Sequence, residues 1–222
     1  IGEDHTQKHE GSLPTEWEHF AATPGKTYRG QSPGEGSDRY HRWQEDIELM
    51  QRLGVRHYRT SVSMARTLHQ DGSPNEKALE WYTRYFEGLR AVGIKIYAAL
   101  YHWELPHYVG SWVNRGAIDL FNRNAEVVAE SLGDYVEEFF ILNEPWCSSI
   151  LSYYEGQHAP GNTGDAEEDL RRALLAAHHL LLAQGAAFRT LRARLPDAKI
   201  GTVYNNKSTY GFSASEQDVL AA

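Results

Sequence analysis

The stretch VEEFFILNEP (136–145) decides how the rest of the chain is read. Its apolar run FFIL does not alternate, which is the pattern of a strand covered on both faces, as parallel strands are when helices pack on them. Pro145 cannot continue a strand, so Asn143 and Glu144 are delivered to its C-terminal end. Working outward, similar short β-rich runs recur: VRHYRTSVS (55–63) and IKIYAALYHW (94–103) before it, AKIGTVYNN (198–206) after it. Longer amphipathic segments separate them. Residues 41–53 place Trp43, Ile47, Met50 and Leu53 at helical spacing before Gly54. A loop and helix span 71–93, with Leu79, Tyr82, Phe86 and Leu89 on the apolar face and Gly93 at the end. Further helices are predicted over 116–132 and over 165–195, the latter stopped by Pro196.

Strand and helix alternate, which predicts parallel strands joined by crossover helices. A doubly wound sheet and a TIM barrel both fit. Polar and aromatic clusters fall just after several successive strands, where barrel active sites are built, and no Gly-rich nucleotide fingerprint follows any strand. The expected fold class is therefore α/β, a (β/α)8 TIM barrel of which about the first five strands are present. The first of these is assigned to IGEDHTQKHEG at the start of the chain. Residues 1–222 read as the N-terminal part of one barrel domain, without internal repeats or linkers. The Gly/Ser/Pro-rich residues 22–37 read as a long strand-to-helix loop.

The composition is that of an ordinary globular chain, and the formal charge of -8 argues against nucleic acid or an anionic membrane as partner. No apolar run approaches the roughly 20 residues of a membrane span. The single cysteine, Cys147, excludes an intramolecular disulfide and fits a reducing cytoplasm; it reads as a small buried hydrophobe. The chain starts without Met and stops at DVLAA, an apparent helix start, so both ends read as cut.

Glu144 is the candidate catalyst. A partly desolvated carboxyl at a strand end, among aromatic and amide neighbours, is suited to general acid work. The bland reading is a glutamate complementing a helix N-terminus. The Asn143 amide suits a sugar hydroxyl. His102 and Trp103, directly after IKIYAALY, offer ring N–H donors, and the indole face can pack on a pyranose. Arg59, at the end of its strand, needs a carboxylate partner if it lies in a barrel mouth. His178 and His179 are adjacent on a helix, point in different directions and cannot share a metal.

Taken together, DRYHRWQEDIELMQRLGVRHYRTSVS, GSPNEKALEWYTRYFEGLRAVGIKIYAALYHWELP, SWVNRGAIDLF, FFILNEPWCSSILSYYEGQHAPG and AAHHLLLAQGAAFR with KIGTVYNN resemble the N-terminal half of glycoside hydrolase family one, the β-glucosidase and β-galactosidase family. The resemblance implies a retaining β-glycosidase acting on β-glycosides or oligosaccharides without metal or organic cofactor. It implies Glu144 as acid/base and Asn143, His102 and Trp103 as sugar contacts. Arg59 becomes the partner of the nucleophile, and Asn205 lines the aglycone side. Tyr154, Gly156, His158, Pro160 and Gly161 match a structural loop of the family.

The chain departs from the family in three places. It contains no T-E-N-G-like motif, so the nucleophilic glutamate is missing, together with the family's late tryptophan cluster and Glu-Trp pair. In the first strand, the glycone-binding Gln falls on Lys8, or on Gln7 if a bulge shifts the register; the two stand as equal candidates. After RTSVS, the family's Trp-Pro becomes Met64-Ala65. Two functions follow: a retaining β-glycosidase whose nucleophile is absent from this chain, or an inactive half-barrel serving as a sugar-binding or self-assembling module. In either case a second copy or the missing C-terminal half is expected to cover the open sheet edge. An endoglycosidase of a cellulase-like barrel family also places Asn-Glu after a strand, but YHWELP and HAPG fit it poorly.

Overall fold

A computed structural model describes residues 11–32, 36–206 and 210–221. The strand expected near the start, and with it Gln7 and Lys8, lies outside the described residues. The described elements run α1 (Glu16–Ala22), α2 (Arg39–Arg52), β1 (His57–Ser61), α3 (Met64–Thr67), α4 (Glu76–Ala91), β2 (Lys95–Ala99), α5 (Gly116–Leu132), β3 (Val136–Asn143), α6 (Ala166–Arg194), β4 (Lys199–Val203) and α7 (Glu216–Ala221). The strands form one parallel sheet in chain order, β1-β2-β3-β4. Each of the four strands lies where the periodicity predicts it. Sequential parallel order with a helix in each connection is the arrangement of successive barrel units.

Local chemistry explains the helix limits. In α1 Thr15 and Glu18 form a reciprocal capping box. Asp165 caps α6 by accepting from the N–H groups of Glu167 at 3.0 Å and Glu168 at 3.1 Å, while Arg192 and Arg194 sit at its other end, matching the helix dipole. Half of the buried stripe of α6 is alanine (Ala173, Ala176, Ala183, Ala187), with Leu180, Leu191, Asp169 and His179. Small residues let α6 pack closely on α5, whose Phe121, Ala125 and Val128 belong to the same buried core.

One face of the sheet, carrying Ile96, Ala98, Phe139 and Ile141, is packed under the helices and fully buried. The other face is not. There His57, Arg59 and Lys95 are exposed and Tyr97, Glu138 and Phe140 are half-buried. Within FFIL, Phe139, Ile141 and Leu142 are buried and Phe140 is half-buried; among the described residues helices cover one side, and a Lys199–Glu138 ion pair at 3.2 Å lies on the more open one. Leu53, assigned to the apolar stripe of α2, lies just past the helix end and is 71% exposed.

No periodicity or motif announces that a strap lies over the strand ends. Leu13 N–H donates to Ala65 O at 2.7 Å, Glu16 N–H to Leu105 O at 3.0 Å and His107 N–H to Pro14 O at 2.7 Å. Residues 13–16 thereby tie α3, just after β1, to the loop after β2 that carries His102 and Trp103.

Candidate active site

The site is built where β3 ends. Its pairing with β4 slips between Phe140 and Asn143: Phe140 pairs with Gly201, yet Asn143 pairs with Val203, so β3 carries one extra residue. Strict alternation would turn Asn143 to the face opposite Phe140. The bulge brings it back to the same face, and Arg59 from β1 meets both. The Arg59 guanidinium lies 5.3 Å from the Phe140 ring centre and its Nη2 donates to Asn143 Oδ1 at 2.6 Å. That bond fixes the amide orientation and aims Nδ2, a donor, away from the arginine. Arg59 was expected to pair with a carboxylate. Among the described residues its hydrogen-bond partner is this amide; the expected carboxylate is the nucleophile that the resemblance places outside this chain. Partial desolvation lowers the affinity of the guanidinium for its proton, and the Glu144 charge raises it.

Glu144 follows with φ of +48° and Trp103 has φ of +73°. Both lie in the left-handed region, which costs a non-glycine residue about 1–2 kcal/mol. Two such residues at neighbouring strand ends show that the backbone here aims side chains at the expense of stability. The ladder holds Glu144 in place: Asn143 N–H donates to Tyr101 O at 3.0 Å and Glu144 N–H to Val203 O at 2.8 Å. Glu144 itself is half-buried. Directly after it, Cys147–Tyr154 winds as a π-helix, a rare form often found beside functional sites.

Trp103 joins the same network. Its Nε1–H donates to Asn143 O at 3.0 Å, which ties the indole to the residue before Glu144. Its ring packs against His158 at 4.7 Å, and Trp17 Nε1–H donates to Trp103 O. Burial lowers the affinity of His158 for a proton, against the opposing charge of Glu144. His102 stands edge-on to Trp103 at 5.2 Å. It lines a cavity of about 10 Å³ with Ser61, Ser63, Met64, Leu100 and Glu104.

On the other side of Glu144, Cys147 Sγ donates to Glu144 Oε2 at 3.4 Å and accepts from Asn205 Nδ2 at 3.4 Å. Burial, followed by the Glu144 carboxylate, pushes the thiol up to about 11. The structure thus gathers Arg59, Asn143, His102, Trp103, Glu144 and Asn205 around one strand end. Sequence reasoning missed Trp17, which packs beneath, and treated Cys147 as filler. A signal for the second was present: Cys147 lies three residues after Glu144, one turn on. His179 is buried, with Nδ1 2.7 Å from Trp112 O, which fits packing. Among the described residues no three His, Cys, Asp or Glu side chains gather as a metal ligand set, and no helix is long and apolar enough to cross a membrane.

Comparison with known proteins agrees with this geometry. The sequence model of Glycosyl hydrolase family 1 matches residues 5–222. The chain is 37% identical over 219 residues to a beta-glucosidase of Agrobacterium, covering 97% of this chain and 47% of that protein. It is 38% identical over 209 residues to beta-glucosidase A of Thermotoga maritima, covering 92% and 46%. Among solved structures, the AHE enzyme of Alicyclobacillus herbarius superposes with a TM-score of 0.89 at 37% identity, over 96% of this chain and 48% of that one. The family 1 β-glucosidase of T. maritima follows at 0.88 and 36%, over 96% and 48%. The chain therefore spans about half the length of the relatives it matches. A fold that matches along nearly the whole chain, with a family match over the same residues, leaves one assignment: the chain belongs to glycosyl hydrolase family 1 and carries part of its (β/α)8 barrel.

Proposed function

We propose that this chain is the N-terminal part of a single-domain retaining β-glycosidase that removes terminal β-linked sugars, with Glu144 as its general acid/base. The observation that carries the reading is the placement of Glu144. It sits half-buried at a strand end in a left-handed backbone conformation, next to an amide already oriented by Arg59. In the first step Glu144 gives its proton to the leaving glycosidic oxygen; in the second it takes one from the attacking water. Asn143 Nδ2 donates to a sugar hydroxyl, His102 and Trp103 line the glycone side with either Gln7 or Lys8, and Asn205 lines the aglycone side.

The nucleophile is a second carboxylate, which a retaining site holds about 5–5.5 Å from the first. It belongs to the part of the relatives' length that this chain does not span, on the side of Arg59. The same part covers the open sheet face, and the 222 residues alone are expected to be inactive. No cofactor enters the mechanism. The lone free thiol of Cys147 supports a reducing compartment, the cytoplasm.

The test is Glu144→Gln in the protein extended to its relatives' length. Activated aryl β-glucosides, whose leaving group needs little protonation, should lose much less turnover than unactivated ones. Equal losses on both would refute the acid/base role. One observation favours a second reading, an inactive self-assembling half-barrel. Leu174, Leu181 and Phe188, spaced seven apart along α6, are 59%, 55% and 42% exposed. Sedimentation as a stable dimer, without activity at any chain length, would select that reading.

A further inference from the structure

Cys147 occupies a position that a space-filling residue would not need. Glu144 O accepts from Cys147 N–H at 2.9 Å and from Ser148 N–H at 3.3 Å, which folds the chain back so that the thiol faces the carboxylate of the residue three before it. The thiol then makes two contacts of opposite sense. It donates to Glu144 Oε2 at 3.4 Å and accepts from Asn205 Nδ2 at 3.4 Å. Asn205 lies just beyond β4, so the sulfur links the ends of β3 and β4 through the side chain proposed to move the proton.

We propose that Cys147 is a positioning residue: its S–H group occupies Oε2 of Glu144 and leaves Oε1 as the oxygen that exchanges the proton with the leaving group and with water. This rests on the acid/base reading of Glu144 and deepens it. Asn205 donates to the sulfur and so occupies its acceptor side, while the carboxylate takes the S–H. The thiol keeps its proton throughout, since burial and the adjacent carboxylate both oppose ionisation. Cys147 is thus a fixed donor and not a nucleophile. Fixing one oxygen matters because general acid transfer requires the proton-bearing oxygen within hydrogen-bond reach of the leaving atom.

Two measurements test this. Cys147 is the only cysteine, so the S–H stretching band in the infrared spectrum of the 222-residue chain reports this one bond. The band should lie at lower frequency than in Glu144→Ala, which has no acceptor; the same frequency in both would overturn the proposal. The second measurement ranks three replacements in the protein extended to its relatives' length, assayed on unactivated β-glucosides. A positioning role predicts that Cys147→Ser, which restores a donor, stays within about threefold of the parent. Cys147→Val and Cys147→Ala should lose about tenfold, and less on activated substrates. A space-filling role predicts the reverse, with valine tolerated and serine worst, and that ranking would also overturn the proposal. If the band shifts as expected but Glu144→Gln slows activated and unactivated substrates equally, the hydrogen bond stands and the acid/base reading is what has failed.

Discussion

Replacing Glu16 by glutamine should stabilise the protein at neutral pH, by an amount that grows with pH. Glu16 is 4% exposed in the first turn of α1 and faces a buried polar core with Glu104, Tyr101 and Tyr153, which are 5%, 3% and 1% exposed. Burial, and then the charge of Glu104, holds its carboxyl well above the ordinary value of 4.5, against a hydrogen bond from Leu105 N–H that favours the ion. The folded state therefore keeps the proton at pH values where the unfolded chain has released it. For a raised folded pKa, the stabilising contribution is complete below about 4.5 and declines as pH rises toward the folded value. The decline is about 1.4 kcal/mol for each pH unit. Glu16→Gln cannot ionise, so its stability relative to the parent should climb by about that amount per unit from pH 5 upward. Urea unfolding of both chains at half-unit intervals measures the difference directly, and background titrations cancel in the comparison. Parallel stability profiles for the two chains would refute the reasoning. The effect also bears on the site, because α1 carries Trp17 and its entry strand straps the loop that bears Trp103.

Two further outcomes follow from the backbone. Glu144→Gly should unfold at higher urea than Glu144→Ala, with a difference of about 1 kcal/mol, because glycine accepts a φ of +48° without the Cβ clash; equal midpoints would deny the strain. Gly88→Ala, in α4, should destabilise by about 1–3 kcal/mol despite its better helix propensity. Its Cβ would stand 2.9 Å from both Ile47 and Trp43 of α2, and an unchanged thermal midpoint would show that the two helices can yield.

The alternation of strand-like and helix-like segments was enough to read a parallel α/β chain and four strand positions, and the polar clusters after successive strands then favoured the barrel. Glu144 was legible for the same reason: Pro145 marks where its strand must stop. What the sequence could not show is how that strand end is turned. FFIL is apolar at every position, so it contains no alternation from which a one-residue bulge could be detected. Yet that bulge is what puts Asn143 on the face of Arg59. The contacts that Arg59 and Trp103 make within the chain were hidden for a related reason. A residue type states which groups can donate, but the register decides which acceptor is within reach, and here Asn143 supplies both, Oδ1 to the arginine and its carbonyl to the indole.

Cys147 shows the same limit from the opposite direction. As a residue type it is a small apolar filler, and as a buried side chain it satisfies that description. Its meaning comes from the turn that Glu144 initiates. Glu144 O accepts from the N–H groups of Cys147 and Ser148, so the chain enters a helical turn at once and position 147 returns over position 144. That neighbourhood sets the thiol beside Oε2. The contact with Cys147 is therefore a product of the turn that starts at the left-handed residue 144, and not of the carboxylate itself. If so, the Glu144→Gly chain should keep the turn while losing its cost, and its S–H band should move to the frequency of the Glu144→Ala chain. A turn that depended on the carboxylate itself would instead come apart in both replacements, and the amide of Cys147, now bonded to residue 144 at 2.9 Å, would exchange with solvent as fast as an exposed one.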